Sequence, residues 1–373
     1  MRCKSNSLHL SIDNMRLPIY ILLILISAQI LFAANPRCYQ CNLKIQQTYI
    51  EYNDNVYHPA CYEATADRCA VCNVILSGSV IAIEGKQYHK SCYEDSVAEH
   101  CGVCEKPILS AIIEYEGGHY HEECYINSVL PRCAVCDEPL REEYRVDYWG
   151  NNTHKRHEDE YSPCESCGRL ISDRLTGGGV TIDDDRRICG ICFSTAIFDD
   201  VETKVLAKKV SYDLAYYGIK IDMNDIPVIL TDPQELARLT GRIGESNELG
   251  LAKSEKITRA GNVINRSDSV YAIYGLPERV LEGVLAHEMM HVWMAHNAKE
   301  KPSQAVVEGV SNYASFLIYN SRNDSMARML IDNLQADPDS IYGDGYRQVS
   351  KFVEQSGLKE LLDGLKHGTL DLK

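Results

Sequence analysis

Cysteine is missing from the last 181 residues of this chain. Fifteen of its sixteen cysteines lie between Cys38 and Cys192, and none follows. Whatever the thiols hold together, they hold in one separate, cysteine-rich domain. Basic charge is also short, with 38 Lys and Arg against 53 Asp and Glu and a net charge of −15. Each Cys3His zinc site would add about one further negative charge. Phosphate backbones need a basic face, so nucleic acid is excluded as a partner. No lipobox cysteine follows the apolar run "LPIYILLILISAQILFAA" at residues 17–34, which argues against a lipoprotein.

That run, with Arg16 before it and Arg2 and Lys4 further back, reads as a signal peptide or N-terminal anchor over residues 1–34. Read from Met15, it is a compact signal ending at Ala34, although Phe32 occupies a position that favours a small residue. Export to the periplasm or the extracellular space is the expectation. The alternative is a retained membrane anchor, and membrane contact follows only in that case.

What is present is a repeat. Cys38, Cys69, Cys101 and Cys133 open units 31, 32 and 32 residues apart. Unit one is Cys38-x2-Cys41, sixteen residues, then His58-x2-Cys61. Unit two is Cys69, Cys72, His89 and Cys92, and unit three Cys101, Cys104, His121 and Cys124, both with the same spacing. In the fourth, Cys133 and Cys136 precede His154 and His157 by one residue more, and a fifth, Cys164, Cys167, Cys189 and Cys192, has a longer spacer. Disulfides would not require a histidine at one offset three times; tetrahedral zinc would. Residues 35–193 therefore form five small knuckle-and-hairpin zinc modules, whose folding energy comes mostly from metal. All four positions are protein ligands, so these ions are structural. At 373 residues the chain has room for two or three domains.

From residue 194 the pattern becomes an α+β, mainly helical domain. "DVETKVLAKKVSYDLAYY" has helical spacing, "IPVILT" and "DSVYAIYG" read as strands, and "DPQELARLTG" as a helix with Asp232 before it and Gly241 after. Pro277 should open the next helix at its first turn. On that helix "AHEMMH" places His287 and His291 at i and i+4, on one side, as two ligands of one ion must be. Glu288 stands beside them, positioned to accept a proton from an attacking water. A zinc site that leaves one position open needs a third protein ligand. Glu308, in the apolar helical pattern starting at Pro302 and Ser303, supplies it, because an unpaired carboxylate there would be costly. Asn312, one turn on, is either a partner of the metal ligands or polar surface, and surface is the expectation. The strand "SVYAIY" is a candidate edge for an extended substrate, with a central place in the sheet as the alternative.

"IYGLPERVLEGVLAHEMMHVW", "VVEGVSNYASFLIY" and "YGDGYR", with "VTIDDDRRICGICFSTAIFDD" upstream, resemble the plant organ-size-limiting LIM peptidases, a ubiquitin-activated metallopeptidase family with bacterial relatives. The fingers resemble LIM domains, with one departure: seven and eight residues separate successive units where LIM has two. The resemblance implies a gluzincin-like peptidase with one catalytic zinc on His287, His291 and Glu308 beside about five structural ones, and Glu288 as general base. It nominates Tyr342 or Tyr346 as oxyanion donor, of which Tyr342 is preferred, and places Arg347 nearby, where a structural salt bridge is the expectation. A protein or peptide substrate follows, with the fingers recruiting it, binding another protein or covering the cleft. Ubiquitin activation is not carried over to an exported chain. The competing function is a non-catalytic zinc-finger adaptor on a degenerate peptidase fold, which predicts five bound zinc ions and not six.

Overall fold

The computed structural model describes residues 36–241, 248–259 and 262–372. The signal or anchor segment expected at 1–34 lies outside the described residues. The chain divides into two compact units, Met1–Tyr120 and His121–Lys373. The fourth and fifth fingers thus belong to the same unit as the cysteine-free region, although composition places a boundary at 193/194.

The fingers repeat one local design. Antiparallel hairpins pair Ile50–Tyr52 with Asn55–Tyr57, Val80–Ile83 with Lys86–His89, and Ile113–Tyr115 with Gly118–Tyr120. Their two-residue turns, Asn53-Asp54, Glu84-Gly85 and Glu116-Gly117, have positive φ at both positions. That is the type I′ geometry whose twist matches the strands. The residue after each C-x2-C pair, Asn42, Asn73, Glu105, Asp137 or Gly168, is also left-handed. The chain there folds back on itself, as in the bond from the Cys38 N–H to the Leu43 carbonyl and its counterparts at Cys69, Cys101, Cys133 and Cys164.

In the second unit a 17-residue helix, α1 (Asp200–Tyr216), is capped by the Asp199 carboxylate, which accepts from the Val201 and Glu202 N–H groups. Strand β1 (Val228–Thr231) leads into α2 (Pro233–Thr240), bounded by Asp232 and a left-handed Gly241 as the sequence implies. Strands β2 (Gly250–Arg259) and β3 (Asn262–Ile273) form a long antiparallel pair, and β1 joins β3 in parallel, giving the order β1-β3-β2. Ser269 to Ile273 of "SVYAIY" lie in β3, the central strand, so that stretch has no free edge, and the edges are β1 and β2. Both flanks of β3 are consumed by backbone pairing, which periodicity cannot reveal.

Helix α3 (Glu278–Asn297) follows, then α4 (Gln304–Arg322), α5 (Ser325–Ala336), α6 (Tyr342–Ser356) and α7 (Leu358–His367). Pro277 sits one place ahead of α3, not inside its first turn, because Leu276–Pro277 pairs with Ala196–Ile197. The apolar stripe of α3, including Leu281, Leu285, Met289 and Val292, lies in the core between α1, α4 and the sheet. That burial fixes the opposite register of the helix, on which His287 and His291 stand.

Candidate functional site

All five four-residue groups expected from the finger spacing bring their ligand atoms within 4.8 Å of one another. The fourth shows why a histidine pair replaces cysteine without loss of chemistry. His157 is 4% exposed, its Nδ1 lies 2.6 Å from a Glu160 carboxylate oxygen, and its Nε2 is buried with no hydrogen-bond partner. A carboxylate on one ring nitrogen and a bare lone pair on the other is the form in which imidazole binds a metal.

A further cluster is built by α3 and α4. The Nε2 atoms of His287 and His291 are 3.0 Å apart, and Glu308 Oε2 lies 3.2 Å from the first and 3.4 Å from the second. Ligands about 2.0–2.1 Å from a tetrahedral zinc stand roughly 3.3–3.4 Å from each other. The triangle has the dimensions of one tetrahedral face, and its chemistry, two imidazoles and a carboxylate, suits that ion. Burial raises the Glu308 carboxyl, but hydrogen bonds from both histidines outweigh it and hold the group down to about 2. Glu308 is therefore a carboxylate at any pH near neutral.

Glu288, 6% exposed, stands beside this face. Burial pushes its carboxyl above the usual range, against the opposing charges of His287 and His291 and a hydrogen bond donated by the Ala252 N–H. Strand β2 can come this close because residue 250 is glycine: a Cβ there would lie 2.9 Å from a Glu288 oxygen. An open cavity of about 880 Å³ joins these groups, lined by Gly250, Leu251 and Ala252 of β2, by His287, Glu288, His291 and Glu308, and by Asn312, Tyr319 and Tyr342.

The expectation of a surface Asn312 is overturned. It is 8% exposed, with its Oδ1 3.0 Å from His287 Nδ1 and its Nδ2 donating to the Tyr342 carbonyl at 3.2 Å. The signal was available: 308, 312, 315 and 319 fall on one face of α4, and all four residues line the cavity. The "YGDGYR" segment begins α6, and its glycines explain its form. A side chain at Gly309 would overlap the Gly345 backbone, and one at Gly345 would overlap the Ala305 carbonyl, so α4 and α6 touch backbone to backbone. This contact brings Tyr342 to the cavity. Tyr346 is 2% exposed and packs on Tyr313 and Phe316, away from the cavity lining. Arg347 bridges Asp344 and the carbonyls of Gln335 and Asp337, a structural role.

Sequence reasoning missed Glu282, a fully buried carboxylate on the far side of α3. It is ion-paired to Arg279, Arg322 and Lys209, and Arg322 also reaches Asp213. These contacts tie the helix bearing the histidines to α1 and α4.

With this geometry in view, comparison with known proteins is informative. Residues 228–321 match the family model described as DA1-like, Protein DA1. That span contains His287, Glu288, His291, Glu308 and Asn312. Residues 38–97, the first two fingers, match the LIM domain model, despite the longer spacer between them. The chain is 25% identical to Protein DA1 of Arabidopsis thaliana over 283 residues, covering 60% of this chain and 52% of the relative. It is 24% identical to Arabidopsis Protein DA1-related 1 over 285 residues (60% and 51%) and 23% identical to the LIM domain-containing protein HDR3 of Oryza sativa subsp. japonica over 293 residues (60% and 57%). The chain spans about half the length of these curated relatives. It is a multidomain protein with LIM zinc-finger modules toward its N-terminus and a helical C-terminal region similar to DA1-like proteins.

Proposed function

We propose that this protein is a zinc-dependent peptidase of the gluzincin kind, with His287, His291 and Glu308 holding the ion and Glu288 as general base. The observation that carries the reading is the tetrahedral face formed by those three ligands, open to a cavity in which a buried carboxylate waits. A zinc ion held there supplies Lewis acidity to a carbonyl oxygen and lowers the pKa of water. Glu288 takes the proton of the attacking water and delivers it to the leaving amine, a role for which a carboxyl raised above its usual range is suited. Asn312 fixes the ring of His287 through Nδ1. Tyr342 is the candidate hydrogen-bond donor to the oxyanion. An extended substrate adds to the edge of β2, not β3, beside Gly250–Ala252. The fingers recruit a protein substrate or cover the cleft, and the chain is exported through its N-terminal segment.

The test is cleavage of an unfolded, alkylated protein by the full chain. Glu288→Gln should lower the rate by about 10²–10⁴-fold with six zinc ions still bound by elemental analysis. Five ions in both proteins, with no cleavage by either, would sink the catalytic reading in favour of an adaptor. Tyr342→Phe should lower kcat by about 10²–10³-fold with KM little changed; an unaltered kcat removes Tyr342 from the mechanism. N-terminal sequencing of the mature protein tests export: a start near residue 35 supports it, and an intact leader in the membrane fraction favours the anchor.

A further inference from the structure

A second cavity, of about 550 Å³, shares no lining residue with the first and opens within the His121–Lys373 unit, where the fourth and fifth fingers meet α5. Its aromatic wall is fixed. The Trp149 indole N–H donates to the Cys167 carbonyl at 2.9 Å, and the Tyr148 ring packs edge-on against Trp149 at 5.5 Å while its hydroxyl donates to Asp332. The Arg169 guanidinium stacks on the indole, 3.5 Å from the ring centroid, and Arg328 of α5 lines the same space.

Most arginine guanidiniums among the described residues are engaged: Arg37, Arg68 and Arg132 donate to backbone carbonyls and Arg187 to the Ser162 hydroxyl. Arg145, Arg156, Arg174, Arg186, Arg238, Arg279, Arg322 and Arg347 are all in ion pairs. Among the described residues no carboxylate lies within 4.0 Å of Arg169 or Arg328. Two nearby acids, Asp332, which accepts from Tyr148, and Asp147, which accepts from Asn151 and the Trp149 N–H, keep their charge but pair with neither guanidinium. In a protein of net charge −15, two guanidiniums without a carboxylate partner, gathered at one cavity beside an immobilised indole, form a receptor for an anion. The remaining wall is apolar, with Leu175 and Ile191 alongside Trp149. A bare inorganic anion would use only half of it.

We propose that this cavity binds an acidic peptide segment, a carboxylate lying between Arg169 and Arg328 and an apolar neighbour resting on Trp149 and Ile191. The site stands independently of whether the His287 cluster is catalytic. It gives the finger side of this unit a recognition chemistry of its own.

Trp149 makes the test direct, because the only other tryptophan, Trp293, is 3% exposed in the core. A blocked Glu-Leu-Glu-Leu peptide titrated into the full chain should change tryptophan fluorescence saturably, and added salt should weaken binding. Affinity should fall about tenfold in Arg328→Ala and further in Arg328→Glu; Arg328 is exposed, so both variants should keep the far-ultraviolet circular dichroism of the parent. The signal should vanish in Trp149→Phe. Absence of a saturable change, an equal response to Lys-Leu-Lys-Leu, or a signal that survives in Trp149→Phe would overturn the proposal. Inorganic phosphate competing as strongly as the peptide would also overturn it, in favour of a simple anion site.

Discussion

In the Met1–Tyr120 unit the described buried apolar residues are Cys38, Ile45, Cys69, Tyr88, Ala98, Cys101 and Ile108, almost half of them thiols. In the His121–Lys373 unit a continuous core runs from Ile197 to Leu365, and the side chains of His287, His291 and Glu308 stand on its surface, 13–23% exposed. The same residue types thus serve two purposes. In the fingers the ligands are the core, and the chain has little else to bury. At the α3–α4 cluster the side chains are presented by helices that would pack without them, which is the arrangement that the proposed catalytic site requires.

Removing metal should break this comparison most visibly. A structural zinc contributes about 10–16 kcal/mol to a small finger, far more than a seven-residue core can replace. Chelation should make residues 36–120 exchange amide hydrogens and succumb to protease, while α1, α3 and α4 stay protected. Loss of protection in those helices at the same chelator concentration would show that the second unit, too, depends on metal for its fold.

Glu282 probes what holds the presenting helix. Glu282→Gln leaves Arg279, Arg322 and Lys209 facing an uncharged partner and should cost about 3 kcal/mol in denaturant unfolding of the second unit. The sign with pH follows from its lowered pKa, in which the ion pairs overcome burial. Its contribution is complete above the unfolded-state value of about 4.3 and is lost as pH falls through the lower folded value. The native chain should therefore lose stability on acidification more steeply than the variant, and parallel curves would mean that the network contributes nothing net.

The smallest effect is expected where packing and metal meet. Asn312→Ala removes the partner of His287 Nδ1 and the donor to the Tyr342 carbonyl, so zinc affinity at this one site should fall about 10–100-fold while the five finger sites keep theirs. An unchanged affinity would show that the imidazole is oriented by packing alone.

Much of this was legible in the sequence, and for a physical reason. Ligand sets separated by two or three residues, such as Cys38-x2-Cys41 or His287 to His291, are juxtaposed by local geometry whatever the rest of the chain does. Asp199, Asp232 and Gly241 announce their helix ends because caps are local too. Asn312, in contrast, becomes a partner of His287 only because α3 and α4 pack together, and of the Tyr342 carbonyl because Gly309 and Gly345 let α4 and α6 close on each other. The identity of the edge strand depends on which of two plausible strands β1 chooses to join. Glu282 reads as an ordinary helix-surface glutamate until Arg322 and Lys209 arrive from helices 40 and 73 residues away.

The sequence by itself determined the finger ligand sets and the two histidines with their neighbouring glutamate, since those depend on spacings within one finger or one helix. Tertiary structure alone decided that the fourth and fifth fingers join the helical region, that Tyr342 and not Tyr346 reaches the cavity, and that Arg169 and Arg328 share a cleft. Such contacts arise between elements far apart in the chain, where the winning arrangement is set by how whole faces pack and no local pattern records the outcome.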